Sequence, residues 1–434
     1  MIKQLLLGAA ALAIATPAAA QTVAITNARL VVGDGGAPIQ DGTVVIRDGR
    51  VVAAGASVAV PGGIRVVDAG GKWVTAGIFA GFTRLGIVEV DAVEGTNDSG
   101  ASGSPFHSAL DVAPAVNPKA SPVALNRAAG ITRAVVAPDN NGSIFAGQGA
   151  VIDLGADMDA VTKPQAFQYM EYGETGARAA GGSRPAAYAM LKNALFEARD
   201  YARNPGHYLD RGKDALLTRL DAEALVPVVE GRMPLLVHVE RASDMLVLLQ
   251  LKREVPALRL VFVGASEGWT VATQIAAAKV PVIATALTDL PNSFEQLAST
   301  QSNVGRMVAA GITVGIGTLN QDDARQARWE KQYAGNLVAL TRVPGMTGLS
   351  WDAAFAAISS GPAEALGLGG ELGSLRPGRH GDVVIWDGDP LELGTAVVQE
   401  FIDGVEQPLT NHQTRLRERY WNPPEGALPK AYQH

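Results

Sequence analysis

The hydrophobic and polar positions follow one pattern at both ends of the chain and a different pattern between them. Residues 23–68 consist of short apolar runs separated by Asp-Gly and Gly-Gly turns, as in VAITNARLVVGDGG and DGTVVIRDGRVVAAG. This pattern predicts antiparallel strands, and it returns in GSLRPGRHGDVVIWDGD and AVVQEFIDGVEQPL. Because open sheet edges pair with other strands, we expect residues 21–77 and 375–410 to form one composite β-sandwich.

The middle of the chain contains short, almost continuous apolar runs that alternate with helical stretches. The runs are GITRAVVAP, MPLLVHVE, LRLVFVGAS, VPVIATAL and GITVGIGTL, with helical stretches such as SDMLVLLQLKREVP between them. Fully apolar strands alternating with helices indicate a parallel sheet that is covered on both faces. We therefore predict an α/β fold with a (β/α)8 TIM-like barrel over residues 78–374. An open doubly wound sheet is the alternative, although no GxGxxG follows a first strand.

The two chain ends also carry signals outside these domains. Lys3, an apolar run and the small residues Ala18 and Ala20 predict a secretory signal over residues 1–20, cut before Gln21. The alternative is a buried N-terminal helix. The run is too short to span a membrane, which takes about 20 apolar residues. We expect an exported protein, with an Ala-rich signal typical of the Gram-negative periplasm, and a surface extension over residues 411–434.

Composition narrows the possible partners and metal ligands. The 434 residues include 36 Lys and Arg against 43 Asp and Glu, which gives a net charge of −7. An acidic chain disfavours binding to nucleic acid or to an anionic lipid surface. The chain has no cysteine, so disulfides, a lipid anchor on the signal and thiolate zinc sites are excluded.

Several stretches resemble the amidohydrolase superfamily and, within it, the imidazolonepropionase-like members. They are NPKASPVALNRAAGITRAVVAP (117–138), IFAGQGAVIDL (144–154), MPLLVHVERASDM (233–245) and SSGPAEALGL followed by GSLRPGRHGDVVIWDGDP (359–390). The resemblance extends over most of residues 23–405. It implies a barrel whose carboxyl-end mouth holds one or two divalent metals. It also implies hydrolysis of C–N bonds, for example in cyclic amides or dipeptide-like substrates.

The same resemblance implies specific metal ligands, and most of them are missing here. The family places His-x-His on strand 1, one His each on strands 5 and 6, and an Asp on strand 8. Only His238, on strand 5, matches, and none of the six histidines stands two residues from another. The other matching positions are Phe82 and Arg84 on strand 1, Gly264 on strand 6 and Leu319 on strand 8. We therefore expect no cofactor or, if any, a single divalent metal such as Zn.

Arg84 and His238 each allow more than one interpretation. A guanidinium is always charged and cannot coordinate a metal. We expect Arg84 to form an ion pair with Glu240 or Glu267 in the mouth, and binding of a ligand carboxylate or an oxyanion is the alternative. His238 is interpreted as a vestigial ligand. The alternative is a rearranged metal site, whose co-ligands would be Glu240, Glu267, Asp322 and Asp323.

Other conspicuous residues have plainer interpretations. We expect His107 to be a solvated surface residue. The Gly-rich stretch 139–149 is interpreted as turn chemistry, because it lacks the Lys-Ser/Thr ending of a phosphate-binding loop. Packing is the expected role of the three tryptophans Trp269, Trp351 and Trp386.

Two functions from different classes remain open at this point. One is an exported, metal-deficient pseudoenzyme that acts as a small-molecule binding protein, or as a subunit with an intact amidohydrolase paralogue or with itself. The alternative is an active hydrolase of C–N bonds with an atypical site around His238. The metal content of the mature protein would discriminate between them. The sequence identifies no catalytic residue.

Overall fold

The computed structural model describes residues 22–140, 142–206, 208, 215–319 and 325–421. The predicted signal segment at residues 1–20 therefore lies outside the described residues, as do Asp322 and Asp323. The strands, in chain order, are β1 Val23–Val31, β2 Ile39–Arg47, β3 Arg50–Gly55, β4 Arg65–Asp68, β5 Trp73–Ala76, β6 Ile78–Thr83, β7 Ile131–Val136, β8 Phe145–Asp153, β9 Val161–Glu171, β10 Leu235–Val239, β11 Leu260–Gly264, β12 Val282–Ala284, β13 Val314–Ile316, β14 Val383–Trp386, β15 Val397–Ile402 and β16 Val405–Glu406.

The helices lie mostly between the later barrel strands. They are α1 Ser121–Arg127, α2 Gly173–Ala179, α3 Arg184–Arg203, α4 Arg219–Val229, α5 Ala242–Glu254, α6 Ala272–Ala277, α7 Asn303–Ala309, α8 Glu330–Ala339, α9 Trp351–Ala357, α10 Ser360–Ala365 and α11 His412–Trp421. No side chain of α11 is buried. Among the described residues, no helix has the length and apolar character needed to cross a membrane.

Strands from both ends of the chain share one sheet, which forms a second, sheet-rich domain. Its strand order is β16-β15-β14-β5-β1-β2-β3, and β4 pairs with β1 beside this path. The connection between the two ends is the antiparallel pairing of β5 with β14. The buried Trp386 strengthens this pairing, because its Nε1 donates a hydrogen bond of 3.0 Å to the hydroxyl oxygen of Thr75.

The second sheet is a nearly closed eight-stranded barrel in which β6 to β13 are adjacent in sequence order. The first and last strands are joined just beyond the end of β13. There, the backbone N–H and the hydroxyl of Thr318 both donate to the carbonyl oxygen of Phe82, at 3.1 and 3.0 Å. The predicted combination of a TIM-like barrel with a sheet-rich second domain is confirmed.

One barrel strand departs from the predicted alternation of strands and helices. β8 runs antiparallel to both β7 and β9, and no helix separates these three strands. The stretch 139–149, which we interpreted as turns, thus contributes turns only up to the start of β8 at Phe145. Gly149 permits close pairing here, because a Cβ at this position would lie 2.0 Å from the ring of Phe167 on β9.

Side-chain alternation along the strands determines which residues point into the barrel. Phe167 and Tyr169 on β9 and Leu236 on β10 belong to one buried cluster that fills the barrel. Met170 and Val237 belong to the larger cluster between the barrel and its helices. The inward-facing positions continue at the carboxyl ends of the strands, and there the side chains become polar.

Candidate functional site

The candidate site is a group of polar side chains at the carboxyl ends of the barrel strands. We call it the mouth cluster. Two of its residues were singled out in the sequence as pocket residues, and one as a remnant metal ligand. The mouth cluster consists of Arg84, Asp139, Tyr169, Glu171, His238 and Glu240.

His238 lies between two buried carboxylates. Its Nδ1 is 2.7 Å from Oε2 of Glu171, and its Nε2 is 3.0 Å from Oε1 of Glu240. Parallel pairing of β9 and β10 places Glu171 directly beside His238. Glu240 follows two residues later on the same strand face. Both ring nitrogens can donate at once only when the imidazole is protonated.

The charges around His238 favour this protonated form. Burial disfavours a charged imidazole, but the carboxylates of Glu171 and Glu240 outweigh it and hold the pKa of His238 well above its ordinary value. Burial likewise acts to raise the pKa of Glu240. The hydrogen bonds from His238 and from Ser266 reverse that effect and lower it. An imidazolium between two carboxylates is therefore the state that this geometry stabilises.

Gly264 makes room for the carboxylate of Glu240. Its φ is +87°, and a Cβ at this position would lie 2.4 Å from Oε1 of Glu240. The backbone N–H of Ser266 then donates to the other carboxylate oxygen of Glu240 at 2.8 Å. The position where the family resemblance implies a histidine is thus occupied in space by the Glu240 side chain.

Arg84 is buried and ion-paired, as predicted, but the predicted partners were wrong. Its Nη2 lies 2.9 Å from Oδ1 of Asp139, which follows β7, the neighbouring strand. Glu240 is already bonded to His238 and Ser266. The carboxylate of Glu267 instead accepts hydrogen bonds from the backbone N–H groups of Ala242 and Ala298, at 3.0 and 3.1 Å. Neighbouring strand ends determine which carboxylate meets Arg84, and the sequence pattern did not show this.

Tyr169 lies between the two charged groups of the mouth. Its hydroxyl donates to Oε1 of Glu171 at 2.8 Å, and its ring packs on that of Phe82, with centroids 5.2 Å apart. Burial and the charge of Glu171 raise the pKa of Tyr169 well above its ordinary value. Tyr169 therefore remains a neutral hydrogen-bond donor, and Phe82 serves as a packing residue.

An open pocket of about 280 Å³ lies beside Phe82. Leu319 lines it, together with the segment after β12 and Tyr333 of α8. Its wall at Gly317 touches Phe82, because a Cβ on this glycine would lie 2.7 Å from that of Phe82. At the position where the resemblance implies a metal-binding Asp, the pocket wall thus carries the apolar Leu319 among polar neighbours such as Thr288 and Asn292.

The remaining predicted residues lie away from the mouth cluster. His107 is half-buried, not solvated as expected, and its backbone N–H donates to Asp221 at 2.8 Å. The tryptophans act in packing, as expected: Trp269 donates to the carbonyl of Ala298, Trp351 stacks on Phe355, and Trp386 is buried.

The described residues do not fit the metal centre that the resemblance implies. Both nitrogens of His238 are bonded to carboxylates. No group of three or more His, Asp or Glu side chains in the described part of the chain has the arrangement of a metal site. The mouth cluster instead forms a hydrogen-bonded chain of proton donors and acceptors from Tyr169 to Glu240, beside an ion pair.

Sequence reasoning missed three members of the mouth cluster, namely Asp139, Tyr169 and Glu171. Each stands on an inward-facing position at or just beyond the carboxyl end of a strand. The available signal was a polar residue directly after an apolar run, as in VVAPD and FQYME. This signal was obscured at Glu171, because β9, the strand that ends there, begins with the polar sequence VTKPQ.

Comparison with known proteins agrees with the fold and with the family resemblance. The model of the amidohydrolase family matches residues 257–412. Amidohydrolase tasK of Hapsidospora irregularis is 47% identical over 60 residues, which cover 14% of this chain and 6% of that protein. The matched stretch is therefore a small part of that relative.

Solved structures extend the likeness to nearly the whole chain. An amidohydrolase from Thermotoga maritima MSB8 is 21% identical with a TM-score of 0.77, over 88% of this chain and 99% of that one. Molinate hydrolase is 18% identical with a TM-score of 0.51, over 96% and 99% of the two chains. The imidazolonepropionase-like subgroup stays a prediction. Residues 257–412 thus match the amidohydrolase family model, and the chain has the fold of the solved amidohydrolase from Thermotoga maritima MSB8.

Proposed function

We propose that this chain is an exported, metal-independent amidohydrolase-family protein that binds a small molecule at the barrel mouth without hydrolysing it. The observation that carries the proposal is the bonding of both His238 nitrogens to Glu171 and Glu240. A metal ligand needs a neutral imidazole with a free nitrogen. Here the only matching histidine is held in the form that cannot coordinate.

The other residues at the implied ligand positions support the same proposal. A guanidinium cannot coordinate a metal, and Arg84 is paired with Asp139. Gly264 and Leu319 supply no ligand atom in place of the missing side chains. Export rests on the signal pattern of residues 1–20. A subunit role with an intact paralogue or a second copy stays a prediction.

One observation favours the second candidate, an active hydrolase of C–N bonds. The hydrogen bonds from Tyr169 through Glu171 and His238 to Glu240 form a continuous chain of the kind that acid–base catalysis uses. Amidohydrolase tasK and molinate hydrolase are named as hydrolases. This candidate would place the chemistry around His238 with Tyr169 as a proton donor.

Metal analysis of the purified mature protein tests the proposal. We expect well under one equivalent of Zn, Mn, Fe or Ni, and no rise in melting temperature on adding Zn. The comparison variants are His238→Ala and, at an exposed histidine of α11, His412→Ala. One tightly held metal that is lost in His238→Ala but kept in His412→Ala would overturn the proposal.

Activity assays on the same preparation address the second candidate. Cyclic amides and dipeptides would be incubated with the mature protein, with and without added Zn or Mn. We expect no turnover. Turnover that disappears in both Tyr169→Phe and His238→Gln, while the melting temperatures stay normal, would establish the hydrolase instead.

A further inference from the structure

Arg84 has hydrogen-bonding capacity that the described residues do not satisfy. The residue is only 8% exposed, and its Nη2 bonds to Asp139. Its Nε is buried and has no acceptor among the residues that the structure describes. A buried, charged donor without an acceptor destabilises the site that holds it. The position therefore favours a ligand that brings an acceptor to Arg84.

Asp139 presents a negative charge next to this donor. Its side chain is 27% exposed, three times the 9% of Arg84. Oδ1 of Asp139 accepts from Arg84 and also from the backbone N–H of Asn140, at 2.8 Å. A carboxylate has about four lone-pair directions, so Asp139 can keep these bonds and still accept from a ligand. The pair offers a cationic donor and an anionic acceptor side by side at the opening of the barrel.

The charges of the pair itself decide which ligands fit it. Arg84 and Asp139 carry opposite charges that cancel. A simple carboxylate ligand would place a second negative charge beside Asp139 in a partly buried site. A simple amine would leave Nε of Arg84 without an acceptor. A ligand that carries both groups adds no net charge and satisfies both partners.

We propose that the Arg84–Asp139 pair binds the zwitterionic head of an α-amino acid, with the ligand carboxylate on Arg84 and its ammonium group on Asp139. This inference rests on the proposed binding function. The ammonium and carboxylate of an α-amino acid are attached to one carbon, so they match two adjacent charges on the protein. The open pocket beside Phe82, lined in part by Leu319, receives the side chain. The pocket wall carries three leucines among polar residues such as Asn292, and leucine is the probe for its apolar part.

Calorimetric titration of the mature protein, residues 21–434, with the common L-amino acids tests the inference. Leucine has two matched analogues, 4-methylpentanoate, which lacks the amine, and isoamylamine, which lacks the carboxylate. We expect leucine to bind and each analogue to bind at least about tenfold more weakly, because each loses one charge-assisted interaction. Failure of every amino acid to bind at millimolar concentration, or equal binding of 4-methylpentanoate, would overturn the inference.

Variants of the pair and a matched control locate the site. Asp139→Asn keeps the side-chain shape, and Arg84→Lys keeps the charge but loses Nε. We expect both to weaken leucine binding by about tenfold. Arg325 and Asp91 form a similar ion pair, also with a buried Nε that lacks an acceptor among the described residues. Asp91→Asn should leave leucine binding unchanged. Unchanged binding in Asp139→Asn, with a normal melting temperature, would contradict the assignment.

Metal content measured on the same preparation separates the two proposals. A metal-free protein that binds no amino acid would overturn this inference and leave the proposed metal-independent function standing. A protein with one bound metal, lost in His238→Ala, would overturn the proposed function. Amino acid binding that survives in Asp139→Asn and Arg84→Lys would overturn the assignment of the ligand to this pair.

Discussion

At the scale of single residues, the mouth shows how absent side chains are compensated by their neighbours. The sequence alone reveals that Gly264 and Arg84 stand where the family resemblance implies histidines. It does not reveal that Glu240 fills the space above Gly264 or that Asp139 neutralises Arg84. Those contacts depend on a positive φ at Gly264 and on the order of the strands. Neither the residue types nor their spacing specifies them.

Substitution of Gly264 tests whether the Glu240 carboxylate depends on the space that this glycine leaves open. In Gly264→Ala, the alanine is held at a φ of +87°, which is unfavourable for a residue with a side chain. Its methyl group would lie 2.4 Å from the buried Glu240 carboxylate. Gly311 has nearly the same φ, +86°, but a Cβ there would meet nothing within 4 Å. We expect Gly311→Ala to cost about 1 kcal/mol from backbone strain alone. Gly264→Ala should cost about 1–3 kcal/mol more, from overpacking.

Urea unfolding of the two variants provides the comparison. The midpoint and slope give the free energy of unfolding of each variant relative to the parent protein. Equal losses in Gly264→Ala and Gly311→Ala would mean that Glu240 does not depend on the open space at Gly264. The assignment of that space to Glu240 would then be wrong.

At the scale of elements, the apolar runs predict the barrel strands well, because a strand buried on both faces is apolar throughout. The antiparallel β8 was not predicted. Its sequence FAGQGAVID reads partly as a turn because of Gly147 and Gly149, yet both glycines permit close packing against Leu110 and Phe167. Local glycine patterns do not distinguish a turn from a strand that packs closely against its neighbours.

The end of β8 contains a titratable group that should make stability depend on pH. Burial raises the pKa of Asp153 to about 7, although the charge of Arg133 opposes this and those of Asp382 and Asp157 add to it. The folded protein therefore binds this proton more tightly than the unfolded chain does, whose value is 3.8. The free energy of unfolding should fall as pH rises from about 4 to 7, by up to about 4 kcal/mol, and level off above pH 7.

Asp153→Asn should remove this part of the pH dependence. Asp159 lies in the same hairpin connection and is exposed, so Asp159→Asn serves as the matched control and should leave the profile unchanged. The measurement is urea unfolding at a series of pH values between 4 and 8. A profile that has the same slope in Asp153→Asn as in the parent protein would show that Asp153 is not the group responsible.

At the scale of the whole molecule, one buried ion cluster ties the barrel to the sheet-rich domain. Arg133 on β7 is 1% exposed and bonds to Asp382 at 2.6 Å and to Asp403 at 2.9 Å. Asp382 precedes β14, and Asp403 lies between β15 and β16. The repeated strand pattern at both chain ends is visible in the sequence. This cross-domain cluster is not, because Arg133 is separated from Asp382 and Asp403 by 249 and 270 residues.

Deletion of residues 375–405 tests how much the barrel depends on the returning segment. The deletion removes β14, which pairs with β5, and both carboxylate partners of Arg133. A buried cation that loses its partners costs about 3–5 kcal/mol, and the uncovered edge of β5 becomes a template for pairing with other chains. We therefore expect aggregation during purification, or a clearly lowered melting temperature.

The control for this deletion is a chain that ends at residue 410. It lacks α11, a helix without buried side chains, and it should remain soluble with a normal melting temperature. If the internal deletion were equally soluble and melted normally, the sheet made from both chain ends would not be needed for the stability of the barrel.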